Sequence, residues 1–224
     1  MSAIALATVQ TTSEPPSRAT LLRQLENLQV PPRSAALLAD STTESSVDGP
    51  ATAAIRAGLA GLVSQLAGGV TDATRYQRSV ARLVGLGPGL TPTGDDVLVA
   101  LVAMSRRLAA GGLLLTSAAD SLAAAVATCP AGRTTAIAEH LLHESAEDRF
   151  PEPLAAFVGA LGDPGVDQAM LAALLDRLAA TGAHSGADWI AGVIALARVC
   201  VTQGGDRWPS ASSSSAEPTR TRLV

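Results

Sequence analysis

The stretch Gly85-Leu-Gly-Pro-Gly-Leu-Thr-Pro-Thr-Gly-Asp-Asp96 runs directly into the apolar segment Val97-Leu-Val-Ala-Leu-Val-Ala-Met104. Glycines permit positive φ and close approach of another group, while Pro88 and Pro92 stiffen the turn between them. Thr93 stands where it would cap a helix beginning at Gly94, with Asp96 three residues on, the spacing of a capping box. A helix starting here aims unpaired N–H groups and a partial positive charge at whatever sits before it. That arrangement suits an anion.

Outward from this point the chain reads as helices separated by breakers. Upstream, Ile55, Leu59, Leu62, Val63 and Leu66 recur at helical spacing and Gly68-Gly69 closes the segment. Asp72 to Val84 reads as the next helix, with Tyr76, Val80 and Leu83 inward. Downstream, helices are expected from Gly94 to about Ala110, Ser117 to Thr128, Arg133-Thr134-Thr135 to about Ala146, Pro151 to Leu161, Val166 to Ala180, and Ser185 to about Val201. Alanine and leucine dominate, which favours helix, and no stretch shows strand alternation. The reading is an all-α helical bundle over residues 51–203, with disordered N- and C-terminal extensions. Residues 1–50 form the poorly ordered N-terminal arm, within which Ala19 to Leu28 could make a short helix with Leu21, Leu22, Leu25 and Leu28 on one face. The Ser/Pro/Arg tail, residues 204–224, is the other extension.

The opening motif has an echo. Thr93-Gly-Asp-Asp-Val-Leu-Val-Ala-Leu-Val102 aligns without gaps on Ser185-Gly-Ala-Asp-Trp-Ile-Ala-Gly-Val-Ile194. Both read hydroxyl, Gly, any residue, Asp, then an apolar helix with a small residue, Ala100 or Gly192, at one offset. Two ordinary capping boxes would explain part of this, each contributing on the order of 1 kcal/mol. Capping does not require Asp95 or the Gly-Pro-Gly turn. If the small residues let the two helices pack closely, both N-termini come to one end of the bundle. The expected pocket holds N–H groups near Gly87, Gly89, Gly94 and Gly186, the hydroxyls of Thr91, Thr93 and Ser185, and the carboxylates Asp95, Asp96 and Asp188. Asp96 and Asp188 would serve as caps, leaving Asp95 the freer carboxylate, and Asp95 and Asp96 are the candidate catalytic groups. Arg133, beside Thr134-Thr135 at a third helix start, could supply positive charge. His184, just before Ser185, could donate a proton or contact an anion. If a divalent ion such as Mg²⁺ bridges ligand and protein, the aspartates are its oxygen ligands.

Several function classes fall away. All 16 basic residues are arginine, so no lysine can serve a P-loop or a Schiff base. Gly85-x-Gly87-x-Gly89 lacks both the third glycine and the βαβ setting of a dinucleotide fingerprint. A net charge of −4 without a basic cluster argues against a nucleic-acid partner. Arg106, Arg107 and Arg198 interrupt the apolar runs, which favours buried helices over membrane spans. Cys129 and Cys200 read as buried, reduced thiols, and a cytoplasmic location is the expectation. His140 and His143 with Glu139 and Glu144 read as a solvated helix face. Ser185 lies in no nucleophile elbow.

Taken together, Gly85–Asp96, Arg133-Thr134-Thr135 and Gly182-Ala-His-Ser-Gly-Ala-Asp188 resemble the AllH family, the small subunit of oxamate carbamoyltransferase from anaerobic allantoin degradation. The resemblance covers roughly residues 51–203. It implies a role in carbamoyl transfer between oxalurate plus phosphate and oxamate plus carbamoyl phosphate, in a complex with other carbamoyltransferase subunits. All these substrates are small anions. It also implies a β-rich N-terminal domain, where only about fifty residues stand here, and a smaller hydroxyl residue in place of His184. The alternative is a non-catalytic structural or regulatory helical module whose glycine motif is only an interhelical turn.

Overall fold

The computed structural model describes residues 5–9, 15–39, 49–129 and 131–203. Among them are ten helices: α1 (Arg18–Glu26), α2 (Pro32–Leu38), α3 (Pro50–Ala67), α4 (Ala73–Val80), α5 (Thr93–Ala110), α6 (Thr116–Ala127), α7 (Ala136–Ala146), α8 (Glu152–Ala160), α9 (Gln168–Ala179) and α10 (Ser185–Gln203). Two strands of two residues each, β1 (Leu6–Ala7) and β2 (Phe150–Pro151), pair antiparallel. The all-α reading holds. The ribbon is the one departure, and two-residue strands are too short to leave an alternating pattern.

Helix α5 is the axis of the molecule. Every residue from Thr93 to Ser105 is buried, so this helix is enclosed on all sides rather than along one stripe. Helix α10 lies against it. A Cβ built on Gly192 would stand 2.8 Å from the Ala100 Cβ and 3.0 Å from the Val97 carbonyl oxygen. The two helices therefore touch where the echo placed its small residues, and no larger side chain fits between them. Helices α3, α6, α7 and α8 pack around α5, and α9 packs against α8 and α10. Ser185–Thr202 is long and apolar enough to cross a membrane by length and composition, and 67% of it is buried inside the fold. Tyr76, Val80 and Leu83 face the core as expected, and Cys129 and Cys200 are buried.

The N-terminal arm differs from expectation. Its described residues 15–39 carry α1 and α2, both packed on α10. The inward face of α1 is Leu21, Gln24, Leu25 and Leu28, whereas Leu22 is exposed. Gln24 takes the place assigned to Leu22 because its amide has partners below. Its Oε1 accepts from Gly162 N–H at 2.8 Å and its Nε2 donates to the Asp163 carbonyl at 3.3 Å. Composition alone made this segment look weakly structured, because its buried polar residues find partners only in the folded chain. The expected disorder over residues 1–4, 10–14, 40–48 and 204–224 lies outside the described residues.

Overpacking a tight helix contact typically costs about 1–3 kcal/mol. Gly192→Val should destabilise the chain by that order in urea unfolding. Ala100→Gly in the same chain should recover part of the loss, giving a double-mutant coupling of at least about 0.5 kcal/mol. Independent, additive effects would mean that α5 and α10 do not meet at this point.

Candidate functional site

The two echoing helix starts come together, and both are held by the same device. A Cβ on Gly94 would lie 2.0 Å from the Leu83 carbonyl oxygen, and one on Gly186 would lie 2.0 Å from the Leu178 carbonyl oxygen. Each helix thus begins pressed against the backbone that leaves the preceding helix, which only glycine allows. The hydroxyls of Thr91 and Ser185 are 2.7 Å apart, joining the glycine loop to the start of α10. The third helix start joins too. Thr134 donates to Asp95, and Thr135 donates to the Leu90 carbonyl while accepting from Ala138 N–H to cap α7.

The three aspartates have separate fates. Asp95 Oδ1 accepts from Gly85 N–H at 2.9 Å, and Oδ2 accepts from Thr134. It is a tie between the loop and α7, not the freer carboxylate expected from the sequence. Asp188 is fully buried and held bidentately by Arg33, with Nε to Oδ1 at 2.8 Å and Nη2 to Oδ2 at 3.1 Å. Arg33 Nη2 also donates to Thr93 Oγ1 at 3.1 Å, so one guanidinium bridges the starts of α5 and α10. Thr93 is accordingly the first residue of α5 and not its cap. Pro92 holds the cap position and makes no side-chain hydrogen bond, so the expected capping box does not form.

Asp96 is the carboxylate left over. It is 1% exposed and its Oδ2 has no hydrogen-bond partner. Burial is the main force on it and pushes its pKa up from the ordinary 3.8 to about 7. The Ser185 and Thr91 hydroxyls pull the value back, and the charges of Asp188 and Asp95 push it further up. Asp95 is also raised by burial, against the hydrogen bonds from Thr134 and Gly85. Near neutral pH, then, Asp96 holds or releases a proton inside the cluster, next to two hydroxyls that reach partly exposed positions.

The glycine loop carries the donors. Gly85, Gly87 and Gly89 all have positive φ. The N–H groups of Gly85, Leu86 and Gly94 are spent on Asp95, Leu83 and Leu86 respectively. Among the described residues the N–H groups of Gly87, Gly89 and Leu90 make no hydrogen bond. Gly94 therefore leaves the expected donor set, and the open donors lie one turn earlier in the loop. Arg133 does not join the cluster. Its Nη2 donates to the Ala81 carbonyl at 3.0 Å, and the side chain lines a separate cavity of about 270 Å³ with Val84 and Cys129. His184 is exposed, and only its carbonyl takes part, accepting from Asp188 N–H at 3.0 Å. Among the described residues no three His, Cys, Asp or Glu side chains are grouped to hold a metal ion. Asp95 and Asp188 already have partners, and Asp96 alone is a thin oxygen set for Mg²⁺.

A family model described as oxamate carbamoyltransferase subunit AllH matches residues 83–197. The chain belongs to the AllH family. The match spans the glycine loop, the starts of α5, α7 and α10, and the helices between them. No curated protein and no solved structure matches the chain. Arg33, the guanidinium bridging two of the AllH helix starts, lies outside the matched residues. Sequence reasoning missed it because it sits among residues whose composition suggested a loose arm. The one signal was the absence of any cation within the motif itself.

Asp96 binds its proton more tightly folded than unfolded, so between pH 4 and 7 the folded chain carries the extra proton. Its contribution to stability is greatest below about pH 4, falls as pH rises, and levels off above about pH 7. Melting temperatures of the native chain minus those of Asp96→Asn should therefore decline across that window. A difference that stays flat from pH 4 to 8 would contradict the raised pKa.

Proposed function

We propose that this chain is the small-anion-binding subunit of an oxamate carbamoyltransferase-like complex, acting with other carbamoyltransferase subunits. The observation carrying this reading is the convergence of three helix starts on a loop with unused backbone donors, beside a proton-bearing Asp96. Successive N–H groups in a glycine loop form a concave donor surface for a phosphate or carboxylate. On this reading the N–H groups of Gly87, Gly89 and Leu90 supply it. Arg33, its side chain 39% exposed, is the cation through which the cluster meets solvent. The carboxylates do not repel the anion as freely as their number suggests, since Arg33 neutralises Asp188 and burial keeps a proton on Asp96 in about half of the molecules at neutral pH and in most of them below it.

The chemistry asks for these parts. When phosphate oxygen attacks the carbamoyl carbon of oxalurate, a C–O bond forms, the C–N bond breaks, and the departing oxamate nitrogen needs a proton. On this reading Asp96 delivers it through the Ser185 and Thr91 hydroxyls and recovers it in the reverse direction, which its raised pKa and its two hydroxyl neighbours support. Holding phosphate on fixed N–H groups supplies positioning and charge stabilisation. The competing reading is a structural turn, in which the same hydrogen bonds only dock α7 and α10 on the loop.

Calorimetric titration with phosphate and with carbamoyl phosphate separates the two. Binding is expected in the native chain, weakened about tenfold or more in Gly89→Val, where the side chain opposes the positive φ, and in Arg33→Ala. A native chain that binds neither ligand, alone or reconstituted with its partner subunits, would leave the structural turn as the answer. Affinity unchanged in both variants would do the same.

A further inference from the structure

The opposite end of α5 holds a buried cation, Arg107, that is only partly satisfied. Arg107 is 1% exposed and among the largest fully buried side chains. Its Nε donates to the Leu161 carbonyl at 3.1 Å. Its Nη1 and Nη2 are both buried and have no hydrogen-bond partner among the described residues. A guanidinium presents five N–H donors and does not lose its charge in proteins, so this one cannot escape by neutralising. Buried charge without partners is among the most costly arrangements in a fold, and a group left so points to something that completes it.

A cavity adjoins this side chain. Arg107 lines a cavity of about 130 Å³ together with Thr8, Val9, Arg106, Asp148 and Phe150. That is space for several waters, or for one carboxylate or phosphate group. The nearby acids are committed elsewhere. Asp148 accepts from Arg106 Nε at 2.7 Å, and Arg106 also bonds Asp120. Asp163 lies near enough to favour the charged guanidinium, yet its Oδ1 accepts from Gly165 N–H at 2.7 Å and it makes no bond to Arg107. The cavity wall is closed by the β1–β2 ribbon, since Phe150 is in β2 and Thr8-Val9 follows β1.

We propose that this cavity is a small-oxoanion site in which Arg107 binds a carboxylate or phosphate group through its two Nη nitrogens. Fourteen residues of helix separate Arg107 from Thr93, roughly 21 Å of rise, so this site is distinct from the glycine-loop cluster. It does not depend on the carbamoyltransferase reading. The partner geometry is the planar fork that guanidinium offers to two oxygens.

Thermal unfolding of the full chain with phosphate, acetate and oxamate tests it, with Arg33→Ala as the common background so that the glycine-loop site is weakened throughout. At least one of these anions should raise the melting temperature, and Arg107→Met should weaken the apparent affinity by about tenfold to a hundredfold. Without anion, Arg107→Met should melt no lower than its parent, because an apolar side chain of similar length ends the cost of the unpaired charge. Thr8→Trp, which covers the cavity from an exposed position while leaving Arg107 in place, should abolish the anion effect even if Arg107→Met fails to fold. Phosphate then separates from the two carboxylates by which anion acts at lower concentration. No response to any of the three, or a response that survives Thr8→Trp, would overturn the proposal.

Discussion

Three carboxylates buried at the starts of two enclosed helices are the constraint on which the site end of the molecule depends. A buried carboxylate must be paired, hydrogen-bonded or protonated, and the chain uses all three outcomes within one turn of α5 and its counterpart. Asp188 is paired with Arg33, Asp95 is hydrogen-bonded to Gly85 and Thr134, and Asp96 is left to hold a proton. Each solution recruits a different part of the chain. The pairing docks α2, the hydrogen bonds dock the glycine loop and α7, and the protonation creates a group that can exchange protons near pH 7. Structure and chemistry come from the same electrostatic cost.

The close contact of α5 and α10 makes this possible. Small residues at Ala100 and Gly192 let the helices touch, and the glycines at 94 and 186 let each begin against a carbonyl oxygen. Without both contacts the hydroxyls of Thr91 and Ser185 would not meet, and Asp96 would face water. A carboxylate in water keeps its ordinary pKa. The apolar enclosure is therefore part of the site, because it sets the proton affinity of the group inside it. At its other end α5 buries Arg107, so a single enclosed helix carries a protonatable acid at one end and an unpaired cation at the other.

Much of this was legible before folding. The helices from α3 onward followed from apolar spacing and breakers, with errors of a few residues at the ends, as with Asp72 to Val84, of which α4 keeps Ala73–Val80. The echo of Thr93–Val102 in Ser185–Ile194 located the paired helix starts and the small residues between them. The family likeness rested on the same residues. Assigning roles within the motif was harder. Asp95 and Asp96 are adjacent and chemically identical, and only the positions of Gly85, Thr134 and Ser185 in space decide which is tied down and which is left open. Arg133 sits in the resembling stretch yet turns its side chain to Ala81, because the α7 start presents its hydroxyls, not its guanidinium, to the loop.

The N-terminal arm marks the boundary between the two kinds of knowledge. Local sequence determined that this chain would be helical, where its helices would start, and that glycine, hydroxyl and acid would gather at two of those starts, since propensity and periodicity act over a few residues. Tertiary structure alone decided that Arg33, 155 residues from Asp188 in the chain, would complete the cluster, and that Arg107 would lose its solvent while its two Nη nitrogens gained no partner among the described residues. Those outcomes depend on which charges are removed from water together, and desolvation is a property of the packed molecule rather than of any stretch of its sequence.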